Sequence, residues 1–224
     1  MDNNTKAVID KRINKTIENL KKNNMQAFYA ENKAEALKKV AELLKDGDAV
    51  TTGGSRSLVE AGVLELLKNG NYEFLDRYAK GLTKEESWDI FRLAFTADVY
   101  LTGSNAITEN GELYNVDGNG NRVSAMIFGP KSVIVVAGYN KIVKNIDEAI
   151  ARVKNIAAPA NCQRINANTY CYNTGYCQSS QDKNSEICDG CKTQDRICCS
   201  YVILALQKVK DRIKVILVGE ELGY

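Results

Sequence analysis

Apolar residues recur along this chain with two different spacings, and segments of the two kinds alternate. Near the start, Val8, Ile9, Ile13, Ile17 and Leu20 lie on one face of a helix with 3.6 residues per turn. Elsewhere, short apolar runs bounded by glycine or polar residues have the length of buried strands. The pattern predicts helices at residues 5–23, 32–45, 55–67, 83–96, 122–128 and 146–156. It predicts strands at residues 25–30, 48–52, 72–75, 98–102, 133–137, 199–207 and 212–218.

Local signals mark where several of these elements begin and turn. Thr83 and Glu86 are spaced as a capping box at a helix start. The dipeptide Asn110-Gly111 is the strongest short signal for a β-hairpin. Pro159 is expected to end the preceding helix because proline lacks the amide hydrogen that a helix interior needs.

The order of the elements predicts an α/β fold, in which a mainly parallel sheet carries helices on both faces. Strand 133–137 is apolar at every position, which is typical of a parallel strand buried on both sides. The last two strands are separated by a charged turn and are predicted to close the chain as an antiparallel hairpin. The length of 224 residues fits a single domain at residues 1–224, with a cysteine-rich insertion at about 161–198.

Composition excludes several classes of function. A formal net charge of +2, from 30 basic and 28 acidic residues, gives no general attraction to nucleic acid or to an anionic membrane. No apolar run approaches the roughly 20 residues that span a bilayer, and the start of the chain lacks a signal peptide's apolar core. We therefore expect a cytoplasmic protein. Histidine is absent, which excludes Ser-His-Asp and Cys-His catalysis and histidine-ligated zinc.

Three of the predicted strands end in small and polar residues. The carboxyl ends of parallel strands meet at one edge of a sheet, where ligands bind. A polar loop at residues 115–122 follows, with an aspartate that can accept protons and an arginine that can clamp an anion. Tight turns that need glycine and polar side chains are the alternative interpretation. The predicted ligand-binding residues are Gly53, Gly54, Ser55, Gly103, Asn105, Asp117, Gly118, Arg122 and Lys141.

Six of the seven cysteines lie within residues 171–199. In a cytosolic chain such a cluster favours metal binding or redox chemistry over structural disulfides. Cys188-x2-Cys191 has the spacing of a metal clip, and thiolates alone favour zinc or an iron–sulfur cluster. Reduced cysteines in a loop without metal are the alternative. Cys199 begins an apolar strand and is expected to be a small core residue.

The segments Thr52-Gly53-Gly54-Ser55, 101–141, 146–159, Asp195-Arg196-Ile197-Cys198 and 216–223 carry a family resemblance. Together they resemble the lactate-utilisation (LUD) family, the small type that accompanies bacterial L-lactate oxidation. The resemblance implies a fold like that of CoA transferases and ribose-5-phosphate isomerase. It also implies a cysteine pattern C-x5-C-x2-C-x6-C, in which either Cys177 or Cys188 can take the second position. The candidate metal ligands are Cys171, Cys177, Cys188, Cys191 and Cys198.

Glu109 has two interpretations. Glu109-Asn110-Gly111 is similar in form to the Glu-Asn-Gly of CoA transferases, whose glutamate attacks the thioester. As part of a simple hairpin, Glu109 would instead be an exposed residue beside the turn.

Three functions are therefore considered. The resemblance implies an accessory protein or subunit of L-lactate oxidation, with iron–sulfur proteins as partners. We expect such a protein to bind a small anionic or nucleotide-like ligand at the carboxyl edge of the sheet. The alternatives are a stand-alone CoA-transferase-like or isomerase-like enzyme that uses Glu109, and a metal-stabilised structural or regulatory module. Each is compatible with a homo-oligomer.

Overall fold

A parallel β-sheet with helices on both faces forms the centre of the protein. The structure is a computed structural model and describes residues 2–224. The strands are β1 (Gln26–Ala30), β2 (Ala49–Thr52), β3 (Glu73–Leu75), β4 (Val99–Thr102), β5 (Ala106–Thr108), β6 (Leu113–Asp117), β7 (Ser132–Gly138), β8 (Ile142–Val143), β9 (Ser200–Leu204) and β10 (Ile213–Val218). The helices are α1 (Asn3–Lys22), α2 (Lys33–Leu43), α3 (Arg56–Glu60), α4 (Val63–Asn69), α5 (Lys84–Leu93), α6 (Asn121–Ile127), α7 (Ile146–Arg152), α8 (Ala158–Ile165) and α9 (Tyr170–Thr174).

The strands form two sheets. Six of them make the central sheet in the order β1-β10-β7-β4-β2-β3, and every neighbouring pair is parallel. The other four make a mixed sheet in the order β8-β5-β6-β9. In this second sheet β6 is antiparallel to both of its neighbours, and β5 is parallel to β8.

The central strands bury both of their faces. In β7, Val133, Val135 and Ala137 belong to one hydrophobic cluster, whereas Ile134 and Val136 belong to another. The first cluster includes residues of α1 and α6, and the second includes residues of α2, α3 and α4. Because successive side chains of a strand point to opposite faces, this division confirms the α/β fold with helices on both sides.

Helix α1 confirms the first helix predicted from the sequence. Ile13, Ile17 and Leu20 are buried against the sheet, and the Asp2 side chain accepts hydrogen bonds from the first turn. Within residues 2–224, none of the helices is both long and apolar enough to cross a membrane.

The predicted closing hairpin is wrong. Strand β9 pairs with β6 in the mixed sheet, and β10 lies between β1 and β7 in the central sheet, parallel to both. The side chains of β10 are apolar on both faces, which suits a central parallel position better than an edge hairpin. Cys199, expected in the core, is exposed just before β9.

Two predicted helix boundaries also differ from the structure. The helix expected at residues 55–67 is divided into α3 and α4, because Gly62 between them is left-handed with φ of 75°. Pro159 does not stop the helix before it. A π-helical turn at Val153–Ala157 connects α7 to α8, and Pro159 lies in the first turn of α8, where its missing amide hydrogen costs little.

Candidate functional site

A cleft of about 670 Å³ lies at the carboxyl edge of the central sheet. Strands β2, β4 and β7 are neighbours in this sheet and run parallel, so their ends meet at the same edge. The loops after all three strands reach the cleft, and residues of the loop between β6 and α6 line its side. Topology therefore brings together the segments that the sequence singled out.

Eight of the nine predicted ligand-binding residues line this cleft. They are Gly54, Ser55, Gly103, Asn105, Asp117, Gly118, Arg122 and Lys141. Gly53 does not line the cleft and packs against β4. A Cβ added to Gly53 would lie 2.7 Å from the Tyr100 hydroxyl and 2.9 Å from Thr102 Oγ1. Gly53 thus allows the strand end to pack closely.

Arg122 is buried and bonded within the protein. Its guanidinium donates to Asn115 Oδ1 at 2.6 Å, to Asn105 Oδ1 at 2.8 Å and to the Val116 carbonyl at 2.9 Å. It also lies 3.4 Å from Asp117 Oδ2. With its donors used in this way, Arg122 connects the end of β6 to the loop after β4. Its contribution to the cleft is shape and positive charge.

Asp117 and Asn105 are also engaged in the cleft wall. The other carboxylate oxygen of Asp117 accepts from the Gly120 amide at 3.0 Å, which holds the turn before α6. Asn105 Oδ1 accepts from the Val116 amide at 2.9 Å. The polar loop is therefore a structured turn, as the alternative interpretation expected, and it also forms a wall of the cleft.

The cleft carries more positive than negative charge. Its lining includes six basic residues, namely Arg56, Arg77, Arg122, Lys141, Arg164 and Arg196. It includes two acidic residues, Asp117 and Asp195. A concave surface with this excess attracts anions and raises their local concentration.

The lining basic residues differ in how far the protein already uses them. Arg164 donates to Asn161 and to the Tyr224 hydroxyl. Arg77 lies over the ring of Phe91, with its guanidinium carbon 4.4 Å from the ring centroid, and Arg56 makes only a 3.5 Å contact with Glu60. Arg56 and Arg77 are therefore the arginines most available to a ligand. Arg56 lies in the strand-end segment 52–57 but was not named as a binding residue, and Arg77 carries no pattern in the sequence that distinguishes it from other basic residues.

Lys141 is the most unusual ionisable group of the cleft. It is 96% buried from solvent, and its Nζ donates to Ser57 Oγ at 2.8 Å. Burial lowers the pKa of the Lys141 amine to about 7, and the nearby positive charges of Arg152 and Arg122 act in the same direction. Ser57 belongs to the strand-end segment 52–57 but was not named as a ligand-binding residue, and Arg152 lies in α7, outside the strand ends that the sequence indicated.

Glu109 lies outside the cleft lining. Its carboxylate contacts Arg12 Nε and Lys15 Nζ of α1, each at 2.8 Å, and these two partners lower the pKa of the Glu109 carboxyl. The hairpin at Asn110-Gly111 joins β5 to β6, as predicted. The structure thus places Glu109 beside the turn, where it attaches α1 to the hairpin.

The cysteines divide into two groups. Five of them line one small cavity of about 20 Å³, namely Cys162, Cys171, Cys177, Cys191 and Cys198. Cys188 and Cys199 are exposed and do not line it. Cys162, which was not predicted as a ligand, has its sulfur 3.6 Å from that of Cys171.

The thiols do not form a ready metal site. Among residues 2–224, no group of three or more Cys, Asp or Glu side chains is arranged to hold a metal ion. Burial is the main cause that raises the pKa of Cys198 to about 12 and that of Cys162 to about 11, so these thiols are protonated at neutral pH. The cysteines expected to bind zinc or an iron–sulfur cluster therefore lie near one another, but among the described residues they are not arranged to coordinate a metal ion.

Comparison with known proteins gives a family and two distant structural similarities. The family model described as LUD domain matches residues 13–218. A DUF162 family protein from Deinococcus radiodurans is 16% identical, with a TM-score of 0.48, over 95% of this chain and 98% of that chain. The eIF2B delta protein from Chaetomium thermophilum is 23% identical, with a TM-score of 0.33, over 51% of this chain and 49% of that chain.

A search of the curated proteins found no match. Both structural similarities are too distant to support an inference about ligand or reaction. The family match needs no such support, because it extends over most of the chain and includes all ten strands, β1 to β10. The protein belongs to the LUD domain family, as the segments around its strand ends predicted.

Proposed function

We propose that this lactate-utilisation-type protein binds a small anionic or nucleotide-like ligand in the cleft and serves as an accessory protein or subunit in L-lactate oxidation. The observation that carries the proposal is the excess of six basic over two acidic residues around one cleft. The cavity volume of about 670 Å³ lies within the range of small-molecule sites. Family membership supports the general role, and the cleft supports the ligand class.

Arg56 and Arg77 are proposed as the groups that contact the anionic part of the ligand. Both line the cleft, and neither is held by the buried network that uses Arg122. Gly54 and Gly103 lack side chains at the two neighbouring strand ends, which leaves main chain accessible to a ligand there. The ligand would therefore lie along the ends of β2 and β4.

Titration with inorganic phosphate, L-lactate and AMP, followed by calorimetry and thermal shift, tests this proposal. We expect at least one of these anions to bind, and Arg77→Ala to weaken binding by about 10-fold, the loss of one charge-assisted contact. Arg92→Ala is the matched control, because Arg92 is exposed, pairs with Asp89 and lies outside the cleft. Failure of all three anions to bind, or equal weakening by the two substitutions, would contradict the proposal.

The role in lactate oxidation also implies iron–sulfur proteins as partners. Co-expression with iron–sulfur proteins encoded beside this gene, followed by size-exclusion chromatography, tests that part separately. We expect a complex that elutes as one species. Separate elution under all salt conditions would leave the ligand proposal standing and reject the partnership.

We further propose that a single metal ion, most suitably zinc, can bind the cysteine cavity. Five thiols around one cavity support this, and a volume of about 20 Å³ suits one atom better than an iron–sulfur cluster. Binding would need the thiols to lose their protons and turn inward, so affinity should increase as pH rises. The cavity lining favours Cys177 over Cys188 for the second position of the cysteine pattern.

Metal analysis of protein purified without oxygen and dialysed against a weak chelator tests this second proposal. We expect about one zinc per chain in the wild type, and loss of zinc in Cys191→Ser and Cys177→Ser. Cys188→Ser is the matched control and should retain zinc, because Cys188 is exposed outside the cavity. Metal-free wild-type protein with an ordered tail would reject the proposal.

A further inference from the structure

Lys141 is buried in the cleft without a negatively charged partner. It is 4% exposed, its only hydrogen bond goes to Ser57 Oγ, and none of the ion pairs among residues 2–224 includes it. Buried lysines normally gain a carboxylate or several carbonyl acceptors, because a desolvated ammonium is costly. Arg152 and Arg122 add positive charge nearby, and Glu60 offsets them only weakly. The surroundings therefore favour the neutral amine.

The hydrogen bond to Ser57 leaves the nitrogen lone pair of a neutral Lys141 free. The Ser57 hydroxyl donates to the Leu222 carbonyl at 3.1 Å, so its oxygen accepts from the amine. An amine that donates one hydrogen in this way keeps its lone pair for another partner. Since Lys141 also lines the cleft, that partner can be an atom of a bound ligand.

A neutral amine is the nucleophilic form of lysine. With a pKa of about 7, roughly half of the Lys141 side chains are uncharged at neutral pH, against roughly one in 3,000 for a lysine of ordinary pKa. Desolvation beside another cationic group is a recognised way to activate lysine toward carbonyl carbon. Burial, hydrogen bonding and location thus point to the same chemistry.

We propose that Lys141 forms an imine with the carbonyl carbon of a small anionic aldehyde or 2-oxo acid held in the cleft. The lone pair of Nζ attacks the carbonyl carbon to give a carbinolamine. The carbonyl oxygen then leaves as water with both amine hydrogens, and a C=N bond replaces the C=O bond. No oxidant or reductant takes part. The inference rests on the proposed anion binding, because Arg56 and Arg77 would hold the carboxylate or phosphate of the same molecule.

Reductive trapping with glyoxylate, the simplest aldehyde that carries a carboxylate, tests the proposal. Full-length protein is incubated with glyoxylate and cyanoborohydride at pH 7, and the labelled lysines are identified by peptide mapping. We expect Lys141 to be labelled at least about 10-fold faster than Lys131. A larger fraction of Lys141 is uncharged at pH 7, but its burial slows the approach of the reagents and offsets part of that advantage. Lys131 is a suitable reference because it is exposed and its pairing with Asp98 raises its pKa.

Variants and pH separate this chemistry from surface labelling. Lys131→Met should leave the rate at Lys141 unchanged, whereas Arg77→Ala should slow it. The Lys141 rate should level off above about pH 7–8, whereas labelling of exposed lysines should continue to rise toward pH 10. These readouts use proteins in which Lys141 is intact, so they do not depend on the folding of a Lys141 variant.

Inorganic phosphate distinguishes failure of the imine from failure of anion binding. Competition by phosphate with labelling of Lys141 would support both proposals. If phosphate binds in a manner that Arg77→Ala weakens, yet glyoxylate labels only exposed lysines, the imine is rejected and anion binding stands. If phosphate, L-lactate and AMP all fail to bind and Lys141 is not labelled, both are rejected.

Discussion

The cleft and the cysteine segment, residues 161–198, are each held together by an arginine, but the two arginines work differently. Arg122 is buried and bonds to side chains and carbonyls at the ends of the sheet strands. Arg196 bonds to the main-chain carbonyls of Cys188, Cys191 and Cys198 and to the Tyr201 hydroxyl. The cleft wall is thus coupled to the central sheet, whereas Arg196 connects mainly carbonyls of its own segment, which we therefore expect to open locally.

The largest effect is expected from Arg122→Ala. The substitution leaves Asn105, Asn115 and Asp117 without their shared donor inside the protein, which should lower the free energy of unfolding by about 3–5 kcal/mol. Urea unfolding measures it. Arg92→Ala, on the surface, should cost less than about 0.5 kcal/mol. If Arg122→Ala and Arg92→Ala lowered the free energy of unfolding equally, the cleft wall would contribute no more to stability than an exposed helix does.

Lys141→Met should stabilise the protein in a pH-dependent manner. Below pH 7 the lysine is charged in both the folded and unfolded states, so the wild type carries the full cost of the buried charge. Between pH 7 and 10.5 only the unfolded state binds the proton, so wild-type stability from this group rises with pH. We expect the variant to be more stable by about 2–4 kcal/mol at pH 6, part of the shift being offset by the lost bond to Ser57.

The pH dependence of that difference is the decisive measurement. Thermal unfolding of wild type and variant from pH 6 to pH 10 should show the advantage of Lys141→Met shrinking steadily. A constant difference across this range would mean that Lys141 is charged in the folded protein at every pH tested.

Arg196→Ala should have a smaller effect on global stability, about 1–2 kcal/mol, because its partners are carbonyls that water can reach once the loop opens. Its local effect should be larger. Maleimide labelling of Cys198, which is partly buried and has a raised pKa in the wild type, should accelerate at least about 10-fold. Labelling of exposed Cys188 serves as the internal control and should change little. If Arg196→Ala greatly lowered the free energy of unfolding and left the labelling rate of Cys198 unchanged, the two arginines would stabilise the protein in the same way.

Glu109→Gln should have the smallest effect, about 0.5–1 kcal/mol, since its partners Arg12 and Lys15 are largely exposed. The loss should diminish in high salt. Binding of anions in the cleft should be unchanged, because Glu109 does not line it. Altered ligand affinity in calorimetry would contradict this placement and revive a catalytic interpretation of Glu109.

Local physical chemistry explains what could be predicted from the sequence. Strand 133–137 is apolar on both faces, and this alone indicated a buried parallel strand. Thr83 and Glu86 form the predicted capping box, and Asn110-Gly111 forms the predicted hairpin. Parallel strands have their carboxyl ends at one edge, so the location of the cleft followed from the order of elements.

Tertiary structure decided the features that depend on residues distant in the chain. Strand β10 joined the centre of the sheet because its two apolar faces needed cover from helices on both sides. Packing of α8 brought Cys162 to the cysteine cavity. Packing also placed Cys177 at the cavity and Cys188 outside it, although the cysteine spacing alone could not choose between those two. The chemistry of Lys141 arose in the same way. Desolvation depends on all the atoms around a group, and the groups that act on Lys141 come from distant parts of the chain: Ser57 of α3, Arg122 of α6 and Arg152 of α7.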